Sequence, residues 1–285
     1  MTAIQPPSNM EICIHFHGKN FIIIDCEKNA VIIAGMNFKQ IKLTHKAGLS
    51  IMNMELDFIK EMFDNIAPKY DFLNRFLSLG QDILWRQEMV KASSIPHSGC
   101  MVLDVACGTC DVAIEVAKQS SGTKIIATDF SPGMLILGKK KVSSKNSKDK
   151  IHLAAGNALS LPFRDAIFDA VFIAFGIRNI MDRQGALQSF AKVLKKGGKV
   201  VVLELTSPSG RFLRDIYMFY FQRVLPSIGG LFSKNRHAYH YLPESVMKFP
   251  LPDQFAEIMR NSGFKNVKWK GMTFGIVTLF VGEIS

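Results

Sequence analysis

The chain has 285 residues, 48% of them hydrophobic, and a formal net charge of +11 at pH 7. That is material for one buried core of roughly 200 to 250 residues with additional segments. No run reaches the roughly 18 to 20 uncharged apolar residues of a membrane span, and no basic-apolar-small leader opens the chain, so a cytoplasmic protein is expected. Five cysteines without a framework of spacings fit a reducing compartment better than a disulfide scaffold.

The basic balance suits a polyanion, either nucleic acid or an anionic membrane surface. Much of it sits in GKKKVSSKNSKDK (138–150), which also reads as a solvated helix end and loop. Residues 1–52 read as an N-terminal extension outside the functional unit, with β-prone runs FIIID (21–25) and AVIIAG (30–35) in a small hairpin or loosely attached arm. Cys13, His15, His17 and Cys26 match no usual zinc spacing, and no metal is expected.

Residues 53–285 read as one domain opened by a helical cap at 53–99. Apolar residues there recur at three- and four-residue steps, and Pro68 and Gly80 break the pattern into short helices. From 100 onward strand-like and helical runs alternate: MVLDVA, a helix from about 109, KIIATD, a helix from Pro132, IHLAAG, DAVFIAF, a helix over 182–195, and KVVVLEL. The alternation predicts an α/β, doubly wound, mostly parallel sheet with strands buried on both faces. KNVKWKG and TFGIVTLFVG follow with too little chain between them for a crossover helix, so they predict an antiparallel C-terminal hairpin at one side of the sheet.

VLDVACGTCDVA (102–113) admits two readings. Cys107 and Cys110 form a CxxC pair suited to redox or metal chemistry, although a zinc site needs two more ligands and only Cys100 is near in sequence. The same letters give a strand, a glycine turn and a helix start, where a doubly wound sheet binds ligands. Gly108 lets the main chain approach a ligand; Thr109 and Asp111 can bond to it or to the turn. Asp129, roughly 20 positions on, can accept both ribose hydroxyls. A single glycine, rather than G-x-G-x-x-G, argues for a cofactor without a pyrophosphate. S-adenosyl-L-methionine fits, with Asp104 and Asp129 supplying the acidity its cationic sulfonium favours and Asn157 and Ala158 forming an adenine edge. SPGML (131–135) supplies an N-cap serine and a first-turn proline that would hold Asp129 at an abrupt turn.

From about Met54 the chain resembles the C-methyltransferases of menaquinone and ubiquinone biosynthesis. The resemblance is carried by FDNIAPKYDFLNRFLSLGQDILWR (63–86), LDVACGTCD (103–111), FGIRN (175–179), LKKGGKVVVLEL (194–205) and LPSIGGLFSKNRHAYHYLPESV (225–246). The first and last are specific to the family; the glycine turn belongs to class I S-adenosylmethionine-dependent methyltransferases in general. Carried over by position, the cofactor contacts fall on Thr109, Asp129, Asn157 and Ala158. Three departures stand out: Cys110 where the family often has a second glycine, Ala174 for a serine, and Asp82 for a histidine. Cys110 is small and keeps the turn without strain if its φ is negative, while Ala174 loses one hydroxyl contact.

The resemblance implies methylation of a polyprenylated quinol, demethylmenaquinol or a methoxy-polyprenyl benzoquinol. Removal of a ring hydroxyl proton gives a phenolate whose charge reaches the ring carbon, and Arg178 is expected to stabilise that phenolate or orient a water acting as base. Asn179 would position the hydroxyl; both residues can alternatively cap the next helix. Tyr70 and Tyr241 are weaker candidates for the substrate wall. RFLRDIYMFYFQRVLPSIGGLF (211–232) reads either as an apolar groove docking peripherally on the inner face of the cytoplasmic membrane or as a core helix. Nucleic-acid amino-methyltransferases carry an Asn/Asp-Pro-Pro-aromatic run where AFGIRN stands, so nucleic acid is not an expected partner. A homo-oligomer is left open.

Overall fold

The computed structural model describes residues 70–96, 98–208, 210 and 236–285, with the backbone of two short strands, β1 (Phe21–Asp25) and β2 (Ala30–Ala34). The first part of the expected cap, the four cysteine and histidine positions of the N-terminal arm, and 211–232 lie outside the described residues. Helix α1 spans 70–77 and α2 spans Gln81–Ser93, broken apart at 78–80 where Gly80 takes a φ of 77°.

Strand and helix then alternate as the sequence pattern requires: β3 (Ser98–Val105), α3 (Asp111–Gln119), β4 (Gly122–Asp129), α4 (Pro132–Ser144), β5 (Ile151–Ala155), β6 (Phe168–Ala174), α5 (Arg183–Val193) and β7 (Leu194–Leu205). Helices α6 (Arg236–Lys248) and α7 (Pro252–Asn261) precede β8 (Lys265–Met272) and β9 (Val277–Glu283). The sequence reading assigned nothing to α6 and α7. The α7 signal was present: Pro252 occupies the first turn, and the Gln254 side chain accepts the Leu251 N–H at 3.1 Å.

The sheet order is β2-β1-β5-β4-β3-β6-β7-β9-β8. Strands β5, β4, β3, β6 and β7 run parallel; β9 joins β7 and β8 antiparallel, giving the expected C-terminal hairpin. The β1–β2 hairpin meets the sheet through Ile23 opposite Ala154.

Alternate residues of each central strand enter opposite cores. Val102, Ala127, Phe172 and Val201 pack with α2, α3 and α4, while Leu103, Ile126, Ile173 and Val202 pack with α5 and α7. Burial on both faces is why these strands read as continuous apolar runs. Edge strand β8 is mostly exposed, and lysines 265, 268 and 270 blunt its free edge. Successive strands are added on one side of β3 as β4 and β5 and then on the other as β6 and β7, so the loops after β3 and β6 open side by side at the carboxyl edge.

Candidate active site

The loop after β3 is tightly wound. Ala106, Gly108 and Cys110 have φ of 52°, 54° and 69°, placing three of five consecutive residues in the left-handed region. Cys110 does not meet the condition of a negative φ: it keeps the turn in the glycine-like conformation with a Cβ attached, at a steric cost. Its carbonyl accepts the Ile114 N–H at 2.9 Å, starting α3.

Asp129 at the end of β4 holds this loop. One carboxylate oxygen accepts the Gly108 N–H at 2.8 Å and the other the Ser131 N–H at 2.9 Å. Ser131 caps α4 by accepting the Met134 N–H at 3.1 Å, and Pro132 starts the helix, so the SPGML turn is built as its residues suggest. Asn157 lies exposed after β5, its side-chain oxygen accepting the Leu159 N–H at 2.9 Å. Ala158 packs on the core beside it. Gly108, Thr109, Asp129, Asn157 and Ala158 thus line adjacent strand ends.

Asp104 sits inside β3, one oxygen accepting the Ala113 N–H at 3.1 Å and the other buried with no hydrogen-bond partner among the described residues. Burial pushes its carboxyl up to about 8. A buried acid with an unused oxygen beneath a glycine turn suits a cationic ligand. Cys107 and Cys110 are buried with their sulfurs 3.9 Å apart, and burial drives the Cys107 thiol well up, which works against thiolate chemistry. Among the described residues no three His, Cys, Asp or Glu side chains are grouped to hold a metal.

The loop after β6 carries Arg178 and Asn179 in a single 3-10 turn, 177–179. Gly176 permits its approach to the glycine turn: a Cβ there would stand 2.8 Å from that of Ala106. Arg178 is nearly enclosed. Its guanidinium donates to Glu204 at 2.7 Å and to the Phe175 carbonyl, and its main-chain N–H donates to Glu204 at 3.1 Å. Burial opposes the Arg178 charge, but the Glu204 carboxylate outweighs it and the group moves up. Tyr241 donates to the Asn179 side-chain oxygen at 3.1 Å, leaving the amide NH2 as the donor half.

The cap closes over both loops. A Cβ on Gly108 would lie 3.8 Å from the Tyr70 ring, and Tyr70, whose phenol burial pushes up, feels Arg178, Arg86 and Asp129 together. Trp85 meets Phe175 edge-on at 6.1 Å, and Arg86 lies over the same ring. Asp82, where the family often has histidine, pairs with Arg86 at 2.5 Å and Arg75 at 3.3 Å. Lys141 of α4 bridges Asp71 of α1 at 2.6 Å and Asp111 of α3 at 2.5 Å, while the Thr109 hydroxyl donates to Asp71 at 2.5 Å.

Sequence reasoning did not assign Glu204, Asp71, Arg86 or Lys141 to the site. Glu204 had left a trace: it is the lone charge in the apolar run VVVLEL, and a charge in a strand buried on both faces needs a partner.

A family model described as the ubiE/COQ5 methyltransferase family matches residues 51–283. A ubiquinone/menaquinone biosynthesis C-methyltransferase UbiE of Geobacter sulfurreducens is 47% identical over 226 residues, covering 79% of this chain and 88% of its own. A demethylmenaquinone methyltransferase of Deinococcus radiodurans is 45% identical, covering 79% and 92%. Among solved structures, a SAM-dependent methyltransferase of Thermotoga maritima superposes with a TM-score of 0.56 at 19% identity, over 79% of this chain and 99% of that one, and so shares the fold.

Proposed function

Since the chain belongs to the ubiE/COQ5 methyltransferase family, we propose that it transfers a methyl group from S-adenosyl-L-methionine to a ring carbon of a polyprenylated quinol, with demethylmenaquinol as acceptor. The observation that carries this reading is the packing of the loop that bears Arg178 and Asn179 on the glycine turn, Gly176 against Ala106, at one carboxyl edge, in a chain 45% identical to a demethylmenaquinone methyltransferase. The cofactor fits the residues present: a close-approach main chain at Gly108, carboxylate Asp129, and the unused Asp104 oxygen. Thr109, Asn157 and Ala158 complete its contacts.

When bound, S-adenosyl-L-methionine supplies an electrophilic methyl group on a cationic sulfur. The protein supplies the rest. The Arg178 guanidinium, fixed by Glu204, stabilises the phenolate formed when the ring hydroxyl loses its proton or holds the water that takes it. The Asn179 amide donates to the ring oxygen, its own oxygen being held by Tyr241. Tyr70 and Trp85 cover the loops, where they would exclude water and hold the acceptor ring against the methyl donor.

The acceptor's tail places the reaction at a membrane surface, and we read the enzyme as a peripheral visitor to the inner face of the cytoplasmic membrane. No described helix is long and apolar enough to cross it. Residues 1–52 are read as an extension outside the catalytic unit, in keeping with a family match that starts at residue 51. The deciding assay is methyl transfer from labelled S-adenosyl-L-methionine to reduced demethylmenaquinone and, in parallel, to reduced methoxy-polyprenyl benzoquinone. Transfer to the first is expected. Preference for the second assigns the enzyme to ubiquinone synthesis, and transfer to neither refutes the quinol reading.

A further inference from the structure

The cap turns large apolar side chains towards solvent. Between Tyr70 and Arg86 the charged residues Asp71, Arg75, Asp82 and Arg86 are drawn into ion pairs with one another, with Lys141 or with Asp111. Five large apolar residues of the same span, Phe72, Phe76, Leu79, Ile83 and Leu84, are exposed, beside the partly exposed side chains of the paired Asp71 and Arg75. A helix pair facing water carries charged and polar residues on its outer face instead. Phe72 and Phe76 stack at 5.9 Å along α1, and Leu79, 88% exposed, stands at the α1–α2 turn.

A second turn adds to this face. Trp85 donates to the Thr273 hydroxyl at 2.8 Å, which brings the β8–β9 turn against α2, and the next residue, Phe274, is 79% exposed. Leu79 and Phe274 have φ of 51° and 58°. Large apolar residues rarely occupy the left-handed region, where asparagine or glycine would sit with less strain. Two strained turns each presenting a large apolar side chain to solvent gain nothing in water from that choice.

The flank is basic. Lys268 and Lys270 are exposed on β8, and Lys270 lies near enough to α2 to add a minor share to the lowering of the Glu88 carboxyl, which comes first from its hydrogen bond with Lys91. Apolar tips flanked by lysines, on a chain of net charge +11, complement the hydrocarbon boundary and the phosphates of an anionic bilayer.

We propose that the α1–α2 face and the β8–β9 turn dock the enzyme on an anionic lipid surface. Leu79 and Phe274 enter the headgroup boundary while Lys268 and Lys270 meet lipid phosphates. The inference rests on the reading of the acceptor as a quinol dissolved in the membrane, and it puts the contact on the cap, beside the loops where the ring is methylated.

The test is co-sedimentation of the full chain with phosphatidylcholine vesicles with and without phosphatidylglycerol, at low and high salt. Wild type is expected to pellet with the anionic vesicles and to be released by salt. L79N/F274N should lower the partition coefficient by about tenfold or more, since two exposed apolar side chains no longer leave water. It should melt no lower than wild type, because asparagine accepts a positive φ, and should methylate a water-soluble short-tailed quinol at the wild-type rate. K268Q/K270Q should lose the preference for anionic vesicles. Undiminished binding by L79N/F274N, or no binding by wild type, overturns the proposal. A wild-type dimer that L79N/F274N dissociates, with vesicle binding unchanged, also overturns it and makes the face a contact between copies. Failure to methylate the short-tailed quinol would strike the acceptor reading alone, since vesicle binding is read without turnover.

Discussion

Glu204, with no solvent exposure, receives both the main-chain N–H and the guanidinium of Arg178, at 3.1 and 2.7 Å. Such a pair is expensive to break from one side, because the remaining charge stays buried. Glu204→Gln should destabilise the fold by about 3 to 5 kcal/mol in chemical denaturation. Arg178→Lys keeps the charge but loses the fork that reaches Glu204 and the Phe175 carbonyl together, so turnover should fall by about 100-fold or more. Cofactor affinity by calorimetry should barely change; a lost affinity would show that Arg178 serves the cofactor instead.

Cys110 depends on Gly138. A Cβ on Gly138 would stand 2.7 Å from the Cys110 sulfur and 3.3 Å from the Gly108 carbonyl. Gly138→Ala should therefore lower stability even though alanine favours a helix by about 1 kcal/mol over glycine. In the Cys110→Gly background the same change should cost less, because the 2.7 Å clash goes with the sulfur and only the 3.3 Å contacts with the Gly108 carbonyl and the Leu153 side chain remain. Additive losses in the double-mutant cycle would refute this coupling. Both thiols should also react slowly with alkylating agents in the native protein, being buried.

The readable part of the molecule was the part whose burial is periodic. Val102 and Leu103 face opposite cores, and that arrangement alone makes β3 a continuous apolar run recognisable as a central strand. Ser131, Pro132 and Asp129 were legible because a cap and a first-turn proline act within a few residues. What stayed hidden was long-range. Nothing near Lys141 in sequence indicates that it spans from Asp71 to Asp111, and nothing near Thr109 indicates that its hydroxyl meets the cap. The φ of Cys110 is not legible for a related reason: the turn is fixed by Asp129 and by the start of α3, so the residue conforms to the loop rather than to its own preference.

Asp104 should couple cofactor binding to pH. Burial raises its carboxyl to about 8, so near neutrality it is protonated in the ligand-free protein. In the unfolded chain it ionises near 4. The folded state therefore holds the extra proton, and this group's contribution to stability falls as pH rises from about 4 towards 8, then levels off. A cation bound beside it favours the carboxylate. Affinity for S-adenosyl-L-methionine should rise with pH up to about 8, and calorimetry at pH 7 in buffers of different ionisation enthalpy should show proton release. Asp104→Asn should abolish that release; an unchanged release would place the proton elsewhere.

Lys141 ties the cap to the cofactor loop, and its removal should show what that tie does. Its ammonium lies 2.6 Å from Asp71, 2.5 Å from Asp111 and 3.2 Å from the Thr109 hydroxyl, with 21% of the side chain exposed. Asp71 is 39% exposed, so screening limits each link, and the whole clasp should be worth about 1 kcal/mol. Lys141→Met leaves Asp71 and Asp111 without the cation between them, and the two carboxylates should push α1 away from the glycine turn. Cofactor affinity should weaken by about fivefold, the equivalent of that energy. The loss should appear as faster cofactor dissociation, while turnover at saturating cofactor stays close to wild type because Arg178 and Asn179 are held independently by Glu204 and Tyr241. Rapid-mixing displacement of bound cofactor measures the rate directly, and an unchanged dissociation rate would mean that α1 does not retain the cofactor.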